Sequence, residues 1–134
     1  MRRKDHEPPA ATDRWGWRYH HTGIPTTQPR HGETYLPEFK MYVSGFAESP
    51  YGIEWMRFEA GSPVSELVKS VPHVAFEVPD IMKALRGKTV LSAPNSPSAG
   101  VRAAMVLDNG CPVELIEFRR RSNEGSQRGR RTRR

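Results

Sequence analysis

Two histidines and two glutamates occupy equivalent positions in an internal repeat of this chain. Residues 21–26 (HTGIPT) align with residues 73–78 (HVAFEV), and residues 53–58 (IEWMRF) align with residues 113–118 (VELIEF). Each half therefore begins with a strand that carries a His and ends with a strand that carries a Glu. The interval between them is 33 residues in the first half (21 to 54) and 41 in the second (73 to 114).

These four side chains are a plausible ligand set for a divalent metal ion. Imidazole nitrogen and carboxylate oxygen suit Zn, Mn, Fe, Co or Ni, and four protein ligands in an octahedral shell leave two positions for water or substrate. A single His or Glu on a strand is usually a structural or surface residue. Because the pair recurs at equivalent repeat positions, His21, Glu54, His73 and Glu114 are candidate metal ligands, although spacing alone leaves structural roles open for them.

Strand alternation indicates which neighbours share a face with the two histidines. His73 shares its face with Ala75, and His21 shares its face with Gly23, because side chains two residues apart on a strand point the same way. A small residue thus follows each His. We expect these small residues to leave space above the strands, as a pocket requires.

The elements that must position these residues are mostly strands. Two of the longer connections between strands are predicted to lack regular structure. Residues 28–37 contain two prolines, which argue against a helix, and the composition of residues 94–100 (PNSPSAG) indicates a loop. Residues 61–71 predict a linker with one helical turn capped by Ser62, and residues 80–86 a short helix that begins at the cap Asp80 and stops at Gly87. Strands are predicted at 17–27, 38–46, 53–59, 73–78, 88–93, 101–107 and 112–118. The fold class is therefore α+β.

The sequence leaves the roles of one loop and two arginines open and favours a structural role for the single cysteine. The loop 94–100 is either a lid over a cleft or a flexible connection between strands. Arg57 and Arg102 are candidates for binding an anionic substrate, but alternation places Arg57 opposite Glu54, which favours a surface role. Cys111 follows a turn and has no nearby base, so we interpret it as a small residue beside a strand.

The positive charge is concentrated at one end. The 134-residue chain has a net charge of +6, and residues 119–134 hold eight Arg and one Glu, or +7, which leaves residues 1–118 at −1. We predict a disordered arm at 1–16, a domain at 17–118 and a disordered Arg-rich tail at 119–134. This distribution argues against a basic nucleic-acid-binding domain, although the tail alone could bind polyanions nonspecifically.

Composition also bears on location. No stretch approaches the roughly 20 consecutive apolar residues of a membrane span, and the basic start lacks the apolar core of a secretory signal. A single Cys excludes an intrachain disulfide framework and is typical of a reducing compartment. We therefore expect a cytoplasmic protein without a membrane partner.

The sequence resembles the vicinal oxygen chelate superfamily, which includes glyoxalase I, bleomycin-resistance proteins, methylmalonyl-CoA epimerase and extradiol dioxygenases. The segments that carry the resemblance are HHTGIPT, PHVAFEVPDIMKAL and VLDNGCPVELIEF, and together with the repeat it covers residues 17–118. The second half is the more specific match. The first half lacks the helix that the family usually places after its first strand.

The resemblance implies two βαβββ modules, at about 17–60 and 72–118, whose curved mixed sheets surround a cleft. The first module has a degenerate helix. In the family, the first and last strands of each module supply the metal ligands, which by position are His21, Glu54, His73 and Glu114 here. The cleft forms either within one chain or across the interface of a homodimer.

The resemblance also implies a chemistry. A small oxygen-rich metabolite chelates a divalent metal (Zn, Ni, Mn, Co or Fe), and Glu114 or Glu54 moves a proton as the catalytic carboxylate. The expected activity is that of an isomerase or lyase. One alternative is a ligand-sequestering, resistance-type protein of the same fold without turnover; another is a polyanion-binding accessory protein that depends on its Arg-rich tail.

Overall fold

The computed structural model describes residues 2–119, which form one curved mixed sheet of eight strands with three short helices. The sheet order is β2-β3-β4-β1-β5-β8-β7-β6. The strands are β1 Arg18–Pro25, β2 Thr34–Leu36, β3 Met41–Ser44, β4 Ile53–Phe58, β5 His73–Glu77, β6 Thr89–Ser98, β7 Val101–Asp108 and β8 Cys111–Phe118. The helices are α1 Ala10–Asp13, α2 Glu66–Ser70 and α3 Ile81–Ala84. The predicted α+β class with more strand than helix is confirmed.

The two halves of the sheet have the same internal order. In each half the first strand pairs in parallel with the last, so that β1 lies beside β4 and β5 beside β8. The halves then join through the antiparallel pair β1–β5 at the centre of the sheet. This arrangement is the predicted pair of modules, and both sides of the cleft come from one chain.

The helices are distributed unequally between the modules. Asp80 caps α3 by accepting hydrogen bonds from the backbone of Met82 and Lys83, and Gly87 follows with φ +71°, as the sequence predicted. Between β1 and β2 the structure has no helix, which confirms the degenerate first module. The prediction that Ser62 caps the linker helix was wrong. Ser65 caps α2, while the Ser62 hydroxyl donates to the Phe39 carbonyl.

Two predicted connections contain strands. Residues 94–98 belong to β6 rather than to a loop, with register shifts along the β6–β7 pair. Because β6 lies at the edge of the sheet, no strand on its outer side needs a hydrogen bond from its prolines. A sequence rich in turn-forming residues can therefore continue this strand. The connection 28–37 likewise contains the short strand β2, which pairs with β3.

Apolar side chains pack on both faces of the sheet. On the outer face of the second module, Ile81 of α3 packs with Leu115 and Val106. On the cleft side, Val68 of α2 packs in one cluster with Met41 and Met56. The linker helix thus covers the cleft, whereas α3 covers the outside of the second module only.

The connection between β1 and β2 covers the outer face of the first module, where the second has its helix. The Arg30 guanidinium lies 4.0 Å from the centre of the Trp55 ring. Arg57 lies 4.1 Å from the centre of the Tyr42 ring and donates two hydrogen bonds to Glu33, at 2.6 and 2.8 Å. Arg57 therefore has the surface role that alternation favoured.

Among residues 2–119, no helix has the length and apolar character needed to cross a membrane. The predicted tail lies outside the described residues except for Arg119, and the arm at 1–16 contains α1, which the sequence did not predict.

Candidate metal centre

Strand register places the four predicted ligand positions near one another on one face at the centre of the sheet. Gly23 is the partner of Glu54 in the β1–β4 pair, and Ala75 is the partner of Glu114 in the β5–β8 pair. Across the module boundary, Gly23 is the partner of His73. Paired residues share a face, so the two small residues lie among the four polar side chains on the cleft face.

The small residue on β1 is required by the histidine opposite it. A Cβ at Gly23 would lie 2.3 Å from His73 Cε1 and 2.8 Å from His73 Nε2. The sequence predicted open space above Gly23 for a pocket, but the His73 ring fills that space. In the equivalent position of the other module, Ala75 is the partner of His21 and is fully buried.

Both histidines direct Nε2 to one carboxylate oxygen. His73 Nε2 donates to Glu114 Oε1 at 3.0 Å, and His21 Nε2 lies 3.3 Å from the same atom. The imidazoles are almost inaccessible, with side-chain exposures of 2% for His73 and 7% for His21, against 19% for Glu114. Glu114 is therefore the shared partner of the two buried rings.

Glu54 takes a different position although it is equivalent in the repeat. Its Oε1 lies 3.4 Å from His21 Nε2, and its side chain is 23% exposed. The donor atoms of His21, His73 and Glu114 all lie within 4.8 Å of one another, and Glu54 is not in this group. The structure thus brings three of the predicted ligands together and places Glu54 beside them, next to His21.

The two carboxylates have opposite pKa shifts. Burial disfavours the Glu114 carboxylate, but the hydrogen bonds and charges of His21 and His73 outweigh it and lower its pKa to about 2. Burial is also the main influence on Glu54; the charge of His21 only partly opposes it, so the pKa of Glu54 is raised. Glu114 therefore holds its charge firmly, whereas Glu54 takes up a proton more readily than an ordinary glutamate.

His21 holds its proton more tightly than a free imidazole. Burial disfavours the imidazolium, but the hydrogen bond to Glu114 and the charges of Glu114 and Glu54 outweigh it and raise the pKa of His21. A metal ion that binds to His21 Nε2 must displace this proton.

His20 is a site residue that the sequence analysis did not identify. The β1–β5 register shifts between Tyr19 and His21, and at this irregularity His20 Nδ1 lies 2.8 Å from His21 Nδ1. The His20 ring stacks on Phe46, with centres 5.0 Å apart and planes inclined by 14°. Burial, followed by the charge of His21, lowers the pKa of His20. A neutral His20 can accept a hydrogen bond from His21 Nδ1 and thereby leave His21 Nε2 free to bind a metal.

His73 is held in another way. Its Nδ1 is buried and has no hydrogen-bond partner among residues 2–119. The ring is therefore held by the hydrogen bond from its Nε2 to Glu114 and by close packing over Gly23, where a Cβ would lie 2.3 Å from Cε1. For His20, the sequence offered one signal, namely that two histidines are adjacent. Regular strand alternation places the side chains of His20 and His21 on opposite faces, so it does not predict their contact.

The donor set fits a transition metal. Ligand atoms about 2.1 Å from one ion are roughly 3.0 Å apart in octahedral and 3.4 Å apart in tetrahedral geometry. The contacts of Glu114 Oε1 with the two Nε2 atoms, at 3.0 and 3.3 Å, lie in this range. Two imidazoles and a carboxylate suit Zn, Fe, Co, Ni or Mn better than Ca or Mg, which prefer oxygen ligands.

The cluster lies in the wall of a cavity of about 450 Å³. His21, Glu54, His73 and Glu114 line it, together with apolar side chains of the first module and residues of β6 and β7. Asn95 and Pro97 contribute to this wall from the segment predicted as a loop, which here forms part of a strand. Arg57 and Arg102, the candidates for anion binding, do not line the cavity.

Comparisons with known proteins agree on the fold. No family model matches the sequence, and no curated protein matches it. Among solved structures, a hypothetical protein from Bacillus halodurans C-125 superposes with a TM-score of 0.59 at 17% identity, covering 80% of this chain and 98% of that one. Methylmalonyl-CoA epimerase from Mycobacterium tuberculosis superposes with a TM-score of 0.53 at 18% identity, covering 75% of this chain and 87% of that one.

This epimerase is a member of the superfamily that the sequence resembles. The chain has the vicinal oxygen chelate fold. At these identities the structural similarity establishes the fold and leaves the reaction to be argued from the site. The vicinal oxygen chelate fold also accounts for the repeat, because it contains two modules of the same topology; in this chain each module places a His and a Glu on the same face of the sheet.

Proposed function

We propose that this chain is a divalent-metal-dependent isomerase or lyase that acts on a small molecule with adjacent oxygen atoms. The observation that carries the proposal is the convergence of His21 Nε2 and His73 Nε2 on one oxygen of Glu114. These three residues would hold the metal, and Glu54 would lie at the edge of the site. A bound metal supplies positive charge that polarises a substrate carbonyl and makes a neighbouring C–H more acidic.

Side chains of the protein would supply charge balance, orientation of a ligand and proton transfer. Glu114, with its low pKa, stays ionised and balances the cation, and His20 fixes the tautomer of His21. Glu54 is the better candidate for the proton transfer, because its raised pKa lies closer to neutrality and its side chain is partly accessible from the cavity. It would take the proton from one carbon and return it to the same or a neighbouring atom.

Metal titration tests the proposal most directly. We expect the purified chain, stripped by chelator and titrated with Zn, Ni, Co, Mn or Fe(II), to bind one ion per chain. His73→Ala should abolish this binding, whereas the same change at the loop residue His31 should leave it intact. Failure of every one of these ions to bind with unit stoichiometry would overturn the proposal.

Turnover separates the enzyme from a sequestering protein. We expect the metal-loaded chain to exchange the C–H next to the carbonyl of α-hydroxyketones for deuterium in D₂O, observed by proton NMR. Glu54→Gln should stop this exchange without preventing ligand binding. Binding of ligands with no exchange in the wild-type chain would favour the sequestering, resistance-type alternative.

Metal affinity should rise with pH through neutrality. Burial is outweighed at His21 by the hydrogen bond to Glu114 and the charges of Glu114 and Glu54, so the pKa of His21 is raised and this residue holds its proton to a higher pH than a free imidazole. The ion binds only the neutral imidazole. Below the pKa of His21 we expect about a tenfold gain in affinity per pH unit. Calorimetry at pH 6.5 in two buffers of different ionisation enthalpy should show net release of protons on metal binding, and an affinity that is constant from pH 5.5 to 7.5 would contradict this prediction.

The His20 side chain should contribute to metal affinity through His21. His20→Phe retains a ring that can stack on Phe46 but removes the acceptor for His21 Nδ1. Loss of such an outer partner typically weakens metal binding 10- to 100-fold, and we expect about tenfold here because His21 keeps its other contacts. A competition titration with a chelating dye measures the change. His31→Phe in the exposed loop is the matched control, and equal affinities in both variants would contradict the prediction.

A further inference from the structure

The cavity beside the metal centre has an apolar wall that begins next to Glu54. Met56 and Phe58 follow Glu54 at intervals of two residues on the same face of β4, and Val43 of β3 is the partner of Met56. At about 3.3 Å per residue, this row extends roughly 13 Å from Glu54 to Phe58. The opposite side is closed by Val68 of α2.

Away from the histidines, the ionisable side chains of residues 2–119 that line the cavity are all carboxylates. Besides the two histidines, its ionisable lining residues within 2–119 are the carboxylates Glu38, Glu54 and Glu114, and none of the lining residues there is Lys or Arg. Glu38 is exposed and Glu54 partly buried. An anionic group on the body of a ligand would lose its hydration among these apolar side chains and meet no cation in exchange.

We propose that the ligand is a molecule with a chelating pair of oxygens at one end and an uncharged hydrocarbon body. The oxygens would face His21, His73 and Glu114, and the body would lie along Met56 and Phe58. This inference rests on the proposed function, because the metal orients the oxygen end. It narrows the oxygen-rich metabolite expected from the sequence to one whose oxygens are confined to one end. The cavity volume of about 450 Å³ lies within the range of small-molecule sites.

Hydroxamates of different tail length test this proposal on the zinc-loaded chain. Acetohydroxamate and hexanohydroxamate share a head with two oxygens on adjacent atoms and differ by four methylenes. Each buried methylene is worth roughly three- to fourfold in affinity, so we expect hexanohydroxamate to bind at least 30-fold more tightly. The monohydroxamate of adipic acid, which has nearly the same length but ends in a carboxylate, should lose most of this gain. Calorimetry measures all three dissociation constants.

A pair of methionine variants locates the tail. Met56→Gln keeps the length of the side chain but makes the wall polar, and should lower the affinity ratio of hexanohydroxamate to acetohydroxamate about fivefold. Met82→Gln makes the same change on the exposed face of α3 and should leave the ratio as it is. Because the readout is a ratio of two ligands on one protein, a general loss of stability does not imitate the effect.

The outcomes separate the two proposals. If zinc binds but hexanohydroxamate binds no more tightly than acetohydroxamate, the apolar-body proposal is overturned and the metal site stands. The same holds if the monohydroxamate of adipic acid binds more tightly than hexanohydroxamate. If zinc binds and none of the hydroxamates does, the apolar-body proposal again fails. If zinc does not bind at one ion per chain, the proposed function fails and the apolar-body proposal fails with it.

Discussion

Glu114→Gln is expected to weaken metal binding by at least about 100-fold, or about 2.7 kcal/mol. The substitution keeps the size of the side chain but removes the negative charge from the group that both imidazoles approach, at 3.0 and 3.3 Å. A neutral amide is a poorer ligand for a transition metal than a carboxylate. Inductively coupled plasma analysis and calorimetry on the purified variant measure the loss, with a thermal melt of the metal-free chain as a check on folding.

Glu54→Gln is the matched control, because the internal repeat places Glu54 in the equivalent position. It lies 3.4 Å from His21 Nε2 but outside the group of three donors, so its loss should cost about tenfold or less in metal affinity. An equal loss in both variants would show that Glu54 is a fourth ligand and would contradict the division of roles proposed for the two carboxylates. The prediction of four ligands from the sequence therefore has a direct test.

Gly23→Ala is expected to destabilise the chain by about 1–3 kcal/mol and to weaken metal binding by about 100-fold. The added Cβ would lie 2.3 Å from His73 Cε1, and the ring is buried with a side-chain exposure of 2%. The backbone of Gly23 does not have a positive φ, so alanine suits its conformation and the loss would be steric. Urea denaturation of the metal-free chain measures the stability change.

A double-mutant cycle isolates this contact. His73→Ala removes the ring that the new Cβ would meet, so Gly23→Ala should cost little in that background. We expect a coupling energy of about 1–2 kcal/mol between the two positions. Additive effects would mean that the glycine is required for another reason than the imidazole opposite it.

The position of the candidate ligands was predictable because it depends on local periodicity. In both modules the residue two positions after the His is the register partner of the Glu, as with Gly23 and Glu54. Strand alternation then places His, small residue and Glu on one face without any knowledge of the rest of the fold. The internal repeat predicted a second set of His, small residue and Glu, and the family resemblance predicted the topology that joins the two modules.

The unequal roles of the two carboxylates were not predictable from that pattern. Glu54 and Glu114 are equivalent in sequence, yet Glu114 meets both imidazoles whereas Glu54 meets one. The contact between His20 and His21 likewise depends on a register shift in the β1–β5 pair. Such irregularities arise from the pairing of distant strands, which one strand's sequence does not contain.

The apolar character of the cavity was also hidden in the sequence. Alternation shows that Met56 and Phe58 share the face of Glu54, but it does not show whether that face is filled by packing or left open. The answer depends on where α2 lies, since Val68 covers the cluster from the linker. A linker position is a tertiary property, and a strand pattern does not encode it.

The outer covering of the first module has a consequence for how binding and folding are coupled. Where the second module buries Ile81 beneath a helix, the first is covered by Arg30 on Trp55 and by the part-buried Arg57–Glu33 ion pair, polar contacts that bury less apolar surface than a helix does. Local unfolding should therefore begin in β2 and β3, which carry part of the apolar wall. A ligand in the cavity then stabilises the first module against this local unfolding. The observed affinity for the ligand is correspondingly reduced by the fraction of molecules in which β2 and β3 are unfolded.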